Sequence, residues 1–387
     1  YDIPSVREMK QILSLFIIVL GCWPMLLPAQ DLPTNPIRVD GQVHPMPDPY
    51  VVQDGPWYYA CVSTGDGVGI SRSRSMTQIV RPKIVWRLPV ENESHPWNLV
   101  DLWAPELHHI GDRWYIYYAA GRRTYTDAEG KKIDGFDFQR SGVLRSKSDD
   151  PMGEWEDMGM RYTGPATEAP TRDSLSFENT EYAIDLTTFE LKGQRYAVWS
   201  GMRKTDGIQQ IRIAPMSNPW TIASGYQVLS APEKSWEKVA AEINEGPAVL
   251  FNPDRTKLFI VYSCNGSWTQ YYCLGWLMLD VQAGNPLNPA DWRKSSNAVF
   301  SRLDNTMSPE SGVNGVGHNT FLRSPDGTED WILYHVMRYL PQAGGGWGER
   351  YPFLQRFSWR ADGTPDFGRP MGWGEAFIPP SGERVHR

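Results

Sequence analysis

The sequence predicts an all-β fold, a five-bladed β-propeller with four antiparallel strands in each blade. Three observations carry this prediction: a high aromatic content, many turn-forming residues, and a strand pattern that recurs along the chain. Aromatic residues make up 12% of the 387 residues, and there are 35 Gly and 31 Pro. Aromatic side chains favour strands, whereas glycine and proline favour turns. Long helices should therefore be scarce.

The recurring pattern is a short aromatic strand that follows a turn. It occurs at residues 57–62, 114–118, 196–199, 258–263 and 331–335. Another short apolar strand lies before each turn, which makes five hairpins. Successive copies are roughly 55–80 residues apart, enough for the four strands of one propeller blade. A β-sandwich, which also contains short strands and turns, is the alternative fold.

The first 30 residues predict an N-terminal extension and a secretory signal peptide, and residues 31–387 predict a single propeller domain. Lys10 precedes an apolar run over residues 12–20, which is the layout of a signal peptide. A membrane anchor is the alternative, but the run is shorter than the ~20 residues that a spanning helix needs. We expect a secreted or periplasmic protein with no membrane span after processing.

Two processing sites fit this N-terminus. Cleavage near Ala29 follows the apolar stretch, whereas the sequence Val19-Leu-Gly-Cys22 resembles a lipoprotein box and would leave a lipid anchor on Cys22. Beyond this point no low-complexity linker divides the chain. The polar stretch at residues 122–140 predicts a loop inserted in the second blade.

Charge and cysteine usage limit the partners. The net charge of −7 gives no basic surface for nucleic acid and suits a neutral or weakly charged substrate. The sequence contains no Cys-x-x-Cys or His-Glu-x-x-His pattern, so it gives no support for a zinc site. Cys264 and Cys273 fit either a disulfide or two free thiols on neighbouring strands. We expect a monomer.

A polar residue lies about 8–13 residues before each aromatic strand. The five residues are Asp48, Glu106, Asp185, Glu245 and His318. The first strand of a propeller blade lines the central axis, so equivalent positions should converge there. Like charges brought together are unfavourable unless their protonation states differ or a cation neutralises them. A functional site at the axis is the expected consequence.

Paired carboxyl groups point to one reaction class. Hydrolysis of a glycosidic bond requires an acid for the leaving oxygen and a second carboxylate as base or nucleophile on the other side of the sugar ring. A further carboxylate can keep the pKa of the acid high. For a single residue such as Asp48, followed by Pro49, a turn is the alternative. Convergence of five such positions favours a catalytic role over a role in turns.

Six short motifs in this sequence resemble those of glycoside hydrolase family 43, in the order of that family. They are Asp48-Pro-Tyr50, Trp103-Ala-Pro-Glu-Leu-His108, Ala183-Ile-Asp185, Glu245-Gly-Pro247, Gly317-His-Asn319 and the closing Trp359-Arg-Ala-Asp-Gly-Thr-Pro-Asp-Phe-Gly368. Each motif is weak alone, but the six together are specific and cover residues 35–367. The resemblance implies a five-bladed propeller that hydrolyses glycosides with inversion of configuration.

The resemblance also implies roles for individual residues. Asp48 matches the general base, Glu245 the general acid, and Asp185 the residue that sets the pKa and orientation of the acid. His318 matches a histidine that faces a calcium or other ion at the propeller axis, where a lone imidazole would bind a hard cation mostly through water. No organic cofactor is implied.

Four residues are expected to contact the substrate: Trp103, Glu106, His318 and Arg350. Trp103 matches an aromatic residue near the sugar, whose flat ring offers apolar contact. The alternative role for Trp103 is packing between blades. Arg350 lies where the family has an arginine near the site.

The third and fourth blades, at residues 211–220 and 262–275, look most like α-L-arabinofuranosidases of this family. This predicts an exo-acting enzyme that releases terminal arabinose from plant cell-wall polysaccharide. β-Xylosidase and endo-1,5-α-L-arabinanase are alternatives, as is a sugar-binding propeller without catalysis. A retaining enzyme is a further alternative, since a carboxyl separation of ~5 Å suits retention and roughly 6.5–9.5 Å suits inversion. In each case the partner is an arabinose- or xylose-containing saccharide.

Overall fold

The structure, a computed structural model, describes residues 32–302 and 313–383. Its main feature is a set of five antiparallel sheets, each of four or five strands. The strand order within each sheet follows the chain, so every sheet is one blade of a propeller. The predicted five-bladed fold is confirmed.

Blades 1 and 2 also include small additions. After β1 (Arg38–Val39), blade 1 contains β2 (Tyr50–Asp54), β3 (Trp57–Ser63), β4 (Gly67–Ser73) and β6 (Lys83–Arg87), while β5 (Gln78–Ile79) pairs in parallel with β1. Blade 2 contains β7 (Val100–Ile110), β8 (Arg113–Gly121), β11 (Arg140–Ser146) and β12 (Trp155–Met160). The insertion predicted in blade 2 forms a hairpin of β9 (Thr124–Thr126) and β10 (Lys132–Asp134).

Blades 3 to 5 repeat the same order. Blade 3 contains β13 (Ala183–Leu191), β14 (Gln194–Met202), β15 (Gln209–Asn218), β16 (Thr221–Ile222) and β17 (Gln227–Ser230). Blade 4 contains β18 (Asn244–Phe251), β19 (Lys257–Cys264), β20 (Cys273–Asp280) and β21 (Trp292–Lys294). Blade 5 contains β22 (Asn314–Arg323), β23 (Asp330–Met337), β24 (Arg350–Trp359) and β25 (Pro365–Asp366). Short 3-10 turns lie at Arg172–Ser174, Ser235–Glu237, Pro289–Asp291, Pro341–Ala343 and Trp347–Glu349.

The recurring aromatic strands are the second strands of the blades, β3, β8, β14, β19 and β23. Their side chains lie in five apolar clusters, each of which joins two neighbouring blades. Trp114 joins blades 1 and 2, Trp199 joins blades 2 and 3, and Tyr334 joins blades 4 and 5. These strands are buried on both faces, which explains why each copy contains large apolar residues and no alternation with polar ones.

In the part of the chain that the structure describes, neither blade 1 nor blade 5 contributes a strand to the sheet of the other. Backbone hydrogen bonds from the N–H groups of Ile37 and Met46 to the carbonyls of Pro352 and Arg350 fasten them together, as do side chains from the two ends of this part. The Asn35 amide donates to the backbone carbonyl of Leu354 in β24 at 2.9 Å and accepts from the Leu354 N–H at 2.8 Å. Glu383 accepts hydrogen bonds from the backbone N–H groups of Met76 and Thr77 in blade 1.

No helix within residues 32–302 and 313–383 is long and apolar enough to cross a membrane. The predicted signal peptide, its domain boundary at residue 30 and the lipid anchor at Cys22 lie outside the described residues. Cys264 and Cys273 face each other across β19 and β20 as free buried thiols, one of the two arrangements left open by the sequence.

Replacing Asn35 by Ala should destabilise the propeller, because the Asn35 side chain is fully buried and its loss leaves two Leu354 backbone groups without partners. We expect a loss of about 1–3 kcal/mol in the free energy of unfolding, measured by chemical denaturation. Asn92→Ala, at an exposed position, is the matched control. Equal stability of the two variants would contradict the role of Asn35 in ring closure.

Candidate active site

The innermost strands of blades 2 to 5 share a β-bulge at the same place. In each strand two residues lie opposite one residue of the second strand, at 104–105 in β7, 185–186 in β13, 246–247 in β18 and 318–319 in β22. A bulge bends its strand and redirects the side chains next to it. The repeat therefore places one redirected position of each blade close to the propeller axis.

The first residue of every bulge has a left-handed backbone. Ala104, Asp185, Gly246 and His318 have φ values of 40°, 56°, 55° and 46°, and Asp48, just before β2, has 51°. This conformation is uncommon for residues other than glycine and costs of order 1–3 kcal/mol where the surroundings impose it. Such positions concentrate at functional sites. Here they identify the equivalent residues of the five blades.

The equivalent residues differ from the five predicted from the sequence. Asp48, Asp185 and His318 have the left-handed backbone of this axial position. In blade 2 the equivalent residue is Ala104, and in blade 4 it is Gly246. Glu245 precedes the bulge residue by one position and still lines the cavity at the axis.

Glu106 does not line this cavity, so its predicted contact with substrate stays a prediction. The bulge in β7 brings Ala104 to the axis, and Glu106 follows it by two residues. The buried Glu106 carboxylate lies instead 2.9 Å from Nε2 of His108, and the Tyr50 hydroxyl is 3.3 Å from the same nitrogen.

The axial cavity has a volume of about 680 Å³. Six of the seven residues predicted for the site line it: Asp48, Trp103, Asp185, Glu245, His318 and Arg350. Aspartate, glutamate and histidine side chains from four blades thus meet in one place.

Asp48 is surrounded by nitrogen atoms. Its Oδ1 accepts a hydrogen bond of 2.6 Å from Nη1 of Arg350 and lies 3.3 Å and 3.4 Å from Nδ1 of His318 and His335. Burial by itself would raise the pKa of Asp48, but Arg350, His318 and His335 together hold it below its ordinary value. Asp48 is therefore ionised at neutral pH and can accept a proton.

The pKa of Glu245 is shifted in the opposite direction from that of Asp48. Burial, reinforced by the negative charge of Asp185, raises the pKa of Glu245 well above its ordinary value. The Tyr272 hydroxyl donates a 2.9 Å hydrogen bond to Oε1 of Glu245, which opposes part of this rise in pKa. At neutral pH Glu245 can carry a proton and donate it.

The pKa of Asp185 lies between the pKa values of Asp48 and Glu245. Burial and the charge of Asp48 raise the pKa of Asp185, while His318 and a 2.9 Å hydrogen bond from the Gly246 N–H act to lower it. Its position beside Glu245 allows it to keep that group protonated.

Sequence reasoning missed His335 and Tyr272. Burial lowers the pKa of His335 to about 4, so its ring beside Asp48 is neutral at neutral pH. The Tyr272 ring stacks on the His335 ring with centroids 5.3 Å apart and planes 6° apart. Together they connect Glu245 to Asp48. A histidine within the apolar and aromatic run 331–337 of β23 was the available signal for His335.

The described residues contain no group of three His, Cys, Asp or Glu side chains spaced to hold an ion. The carboxylate beside His318 belongs to Asp48, which already binds Arg350. The calcium ion expected at His318 stays a prediction that rests on the family resemblance.

A five-bladed propeller with carboxyl groups of separated pKa in an axial cavity has the features of a propeller glycoside hydrolase. The family model of glycosyl hydrolases family 43 matches residues 34–365. The chain belongs to this family.

Several members are similar over most of this chain. An α-L-arabinofuranosidase of Humicola insolens is 32% identical over 84% of the chain and 62% of its own length. An extracellular exo-α-(1→5)-L-arabinofuranosidase of Streptomyces avermitilis is 35% identical over 70% of the chain and 51% of its own length. The chain thus spans less than two thirds of these relatives. The crystal structure of an α-L-arabinofuranosidase from Lactobacillus brevis superposes with a TM-score of 0.72 at 28% identity, covering 88% of this chain and 98% of that one.

Two variants should move the pKa of Glu245 in opposite directions. Asp185→Asn removes the neighbouring negative charge and should lower the pKa, whereas Tyr272→Phe removes the hydrogen bond and should raise it. Carbon NMR of protein labelled at the glutamate side-chain carboxyl measures both shifts. Shifts in the same direction would contradict the described electrostatics.

Proposed function

We propose that this protein is an inverting glycoside hydrolase, an exo-acting α-L-arabinofuranosidase that releases terminal arabinose from plant cell-wall polysaccharide. The observation that carries the proposal is the contrast between two carboxyl groups in one cavity. Asp48 accepts a 2.6 Å hydrogen bond from Arg350, which lowers its pKa, whereas Glu245 is buried near Asp185, which raises its pKa. A base that is ionised and an acid that is protonated at the same pH are what glycoside hydrolysis by inversion requires.

The roles follow from these states. Asp48 accepts a proton from water as the water attacks the sugar, and Arg350 holds its carboxylate in place through the 2.6 Å hydrogen bond. Glu245 protonates the leaving oxygen, and Asp185 favours the protonated form of Glu245 before the reaction. After release of the sugar, a proton passes to Glu245 and one leaves Asp48, which restores both groups.

The choice of arabinose is supported by similarity. The relatives from Humicola insolens and Streptomyces avermitilis and the Lactobacillus brevis structure are all arabinofuranosidases by name. The word "exo" in the name of the Streptomyces protein supports release of single terminal units. Its description as extracellular also supports secretion or export to the periplasm, with lipid anchoring at Cys22 as the alternative.

A panel of 4-nitrophenyl glycosides of α-L-arabinofuranose, β-D-xylose and β-D-galactose tests the sugar. We expect the arabinofuranoside to be hydrolysed at least tenfold faster in kcat/KM than the others. Proton NMR during hydrolysis should show β-L-arabinofuranose as the first product, because inversion turns the α-configured bond into the β-anomer. Faster hydrolysis of the xyloside would replace the proposal by β-xylosidase activity, and an α-anomer as first product would exclude inversion.

The two proton-transfer roles predict different leaving-group effects. Glu245→Gln should lose about 10²–10⁴-fold in kcat on arabino-oligosaccharides and much less on a dinitrophenyl arabinofuranoside, because a good leaving group departs without a proton. Asp48→Asn should lose activity on both substrates alike, because water still needs its base. If Glu245→Gln lost equal activity on the two substrates, Glu245 would not be the acid.

A further inference from the structure

Four aromatic rings that line the axial cavity form a continuous row. Their order is Trp103, Phe136, Trp347 and Trp268. Ring centroids of successive neighbours are 5.0, 6.1 and 5.4 Å apart. The rings come from three different blades, with Phe136 on the blade 2 insertion and Trp268 and Trp347 on loops of blades 4 and 5.

The outer three rings are exposed. Phe136, Trp268 and Trp347 have 37%, 40% and 49% of their surface accessible to solvent. Adjacent exposed aromatic rings are unusual on a protein surface and mark binding sites. The loops that carry Trp268 and Trp347 are joined, since Nε1 of Trp347 donates to the Ser267 hydroxyl at 3.0 Å.

The row runs from a partly buried ring, Trp103, to exposed rings at the other end. Trp103 directly precedes Ala104, the bulge residue at the axis, whereas Trp268 and Trp347 are the more exposed members. The backbone carbonyl of Trp347 accepts a 3.0 Å hydrogen bond from Nε of Arg350, the residue that binds Asp48. A saccharide with its terminal unit at the carboxyl groups would therefore leave the cavity along these rings.

We infer that this aromatic row binds the sugar units on the leaving side of the cleaved bond, and that its ligand is an α-1,5-linked arabinofuranose chain. The inference rests on the proposed function and adds to it a binding site for the aglycone, the part of the substrate that leaves. Aromatic faces offer apolar contact to sugar rings. Arg123, which also lines the cavity beside Phe136, is paired with Asp101 at 2.8 and 3.0 Å, which suits an uncharged ligand.

The ring angles favour a flexible chain. Neighbouring ring planes are inclined by 60°, 80° and 76°, so the exposed faces turn from one ring to the next. A β-1,4-linked xylan chain has only two rotatable bonds between successive rings, so it follows such changes of direction less readily. A 1,5-linked furanose chain has an additional rotatable bond at the exocyclic C5 of each unit and can follow the turning faces.

The test compares Trp347→Ala and Trp268→Ala with the wild type on α-1,5-arabino-oligosaccharides of two to five units. In the wild type kcat/KM should increase with chain length, and each variant should lose about 3–10-fold on the longer substrates, the equivalent of one aromatic contact. Activity on 4-nitrophenyl α-L-arabinofuranoside should change much less. Tyr271→Ala is the matched control, because Tyr271 lies on the same loop as Trp268, is 37% exposed and does not line the cavity.

Each outcome separates the inference from the function on which it rests. No wild-type activity on any arabinofuranoside would overturn the proposed function. Normal activity with an unchanged chain-length dependence in both Trp variants would overturn the aromatic row alone. A larger loss on xylo-oligosaccharides with a single arabinose branch than on the linear series would assign the row to a xylan chain and overturn the inferred ligand.

Discussion

Three carboxyl groups lie in one cavity, with Asp185 and Glu245 buried and Asp48 partly exposed, and the chemistry of the site depends on how their charges are accommodated. Three negative charges at close range in a medium of low dielectric constant would repel each other strongly. Arg350 compensates the charge of Asp48, and a proton on Glu245 removes a second charge. The same electrostatics therefore makes the cavity stable and gives two of its carboxyl groups opposite proton states.

This arrangement requires a backbone that brings distant residues together and keeps them there. The left-handed bulge residues other than Gly246 are strained, and the surrounding propeller must hold them. The apolar clusters between neighbouring blades provide this support, with Trp114, Trp199 and Tyr334 among the buried rings. Because the ring of blades is closed by packing and by the side chains of Asn35 and Glu383, stability at the periphery and geometry at the axis are linked.

The inner and outer parts of the cavity have different origins. The carboxyl groups lie on or next to strands, whereas the exposed rings of Phe136, Trp268 and Trp347 lie on loops. Loops on a rigid scaffold change without disturbing the core, and specificity commonly resides there. The division suggests a physical separation of tasks: the strands fix the reacting groups, and the loops select the chain that enters.

The sequence by itself determined the number of blades, since each aromatic strand at 57–62, 114–118, 196–199, 258–263 and 331–335 must bury both faces. It also identified Asp48, Asp185 and Glu245, which a repeated motif places at the axis. Only the tertiary structure decided that Ala104 takes the axial place expected for Glu106, because a bulge changes the direction of side chains without a mark in composition. Tyr272 and His335 likewise lie on different strands, and their contact with the carboxyl groups exists only once blades 4 and 5 pack together.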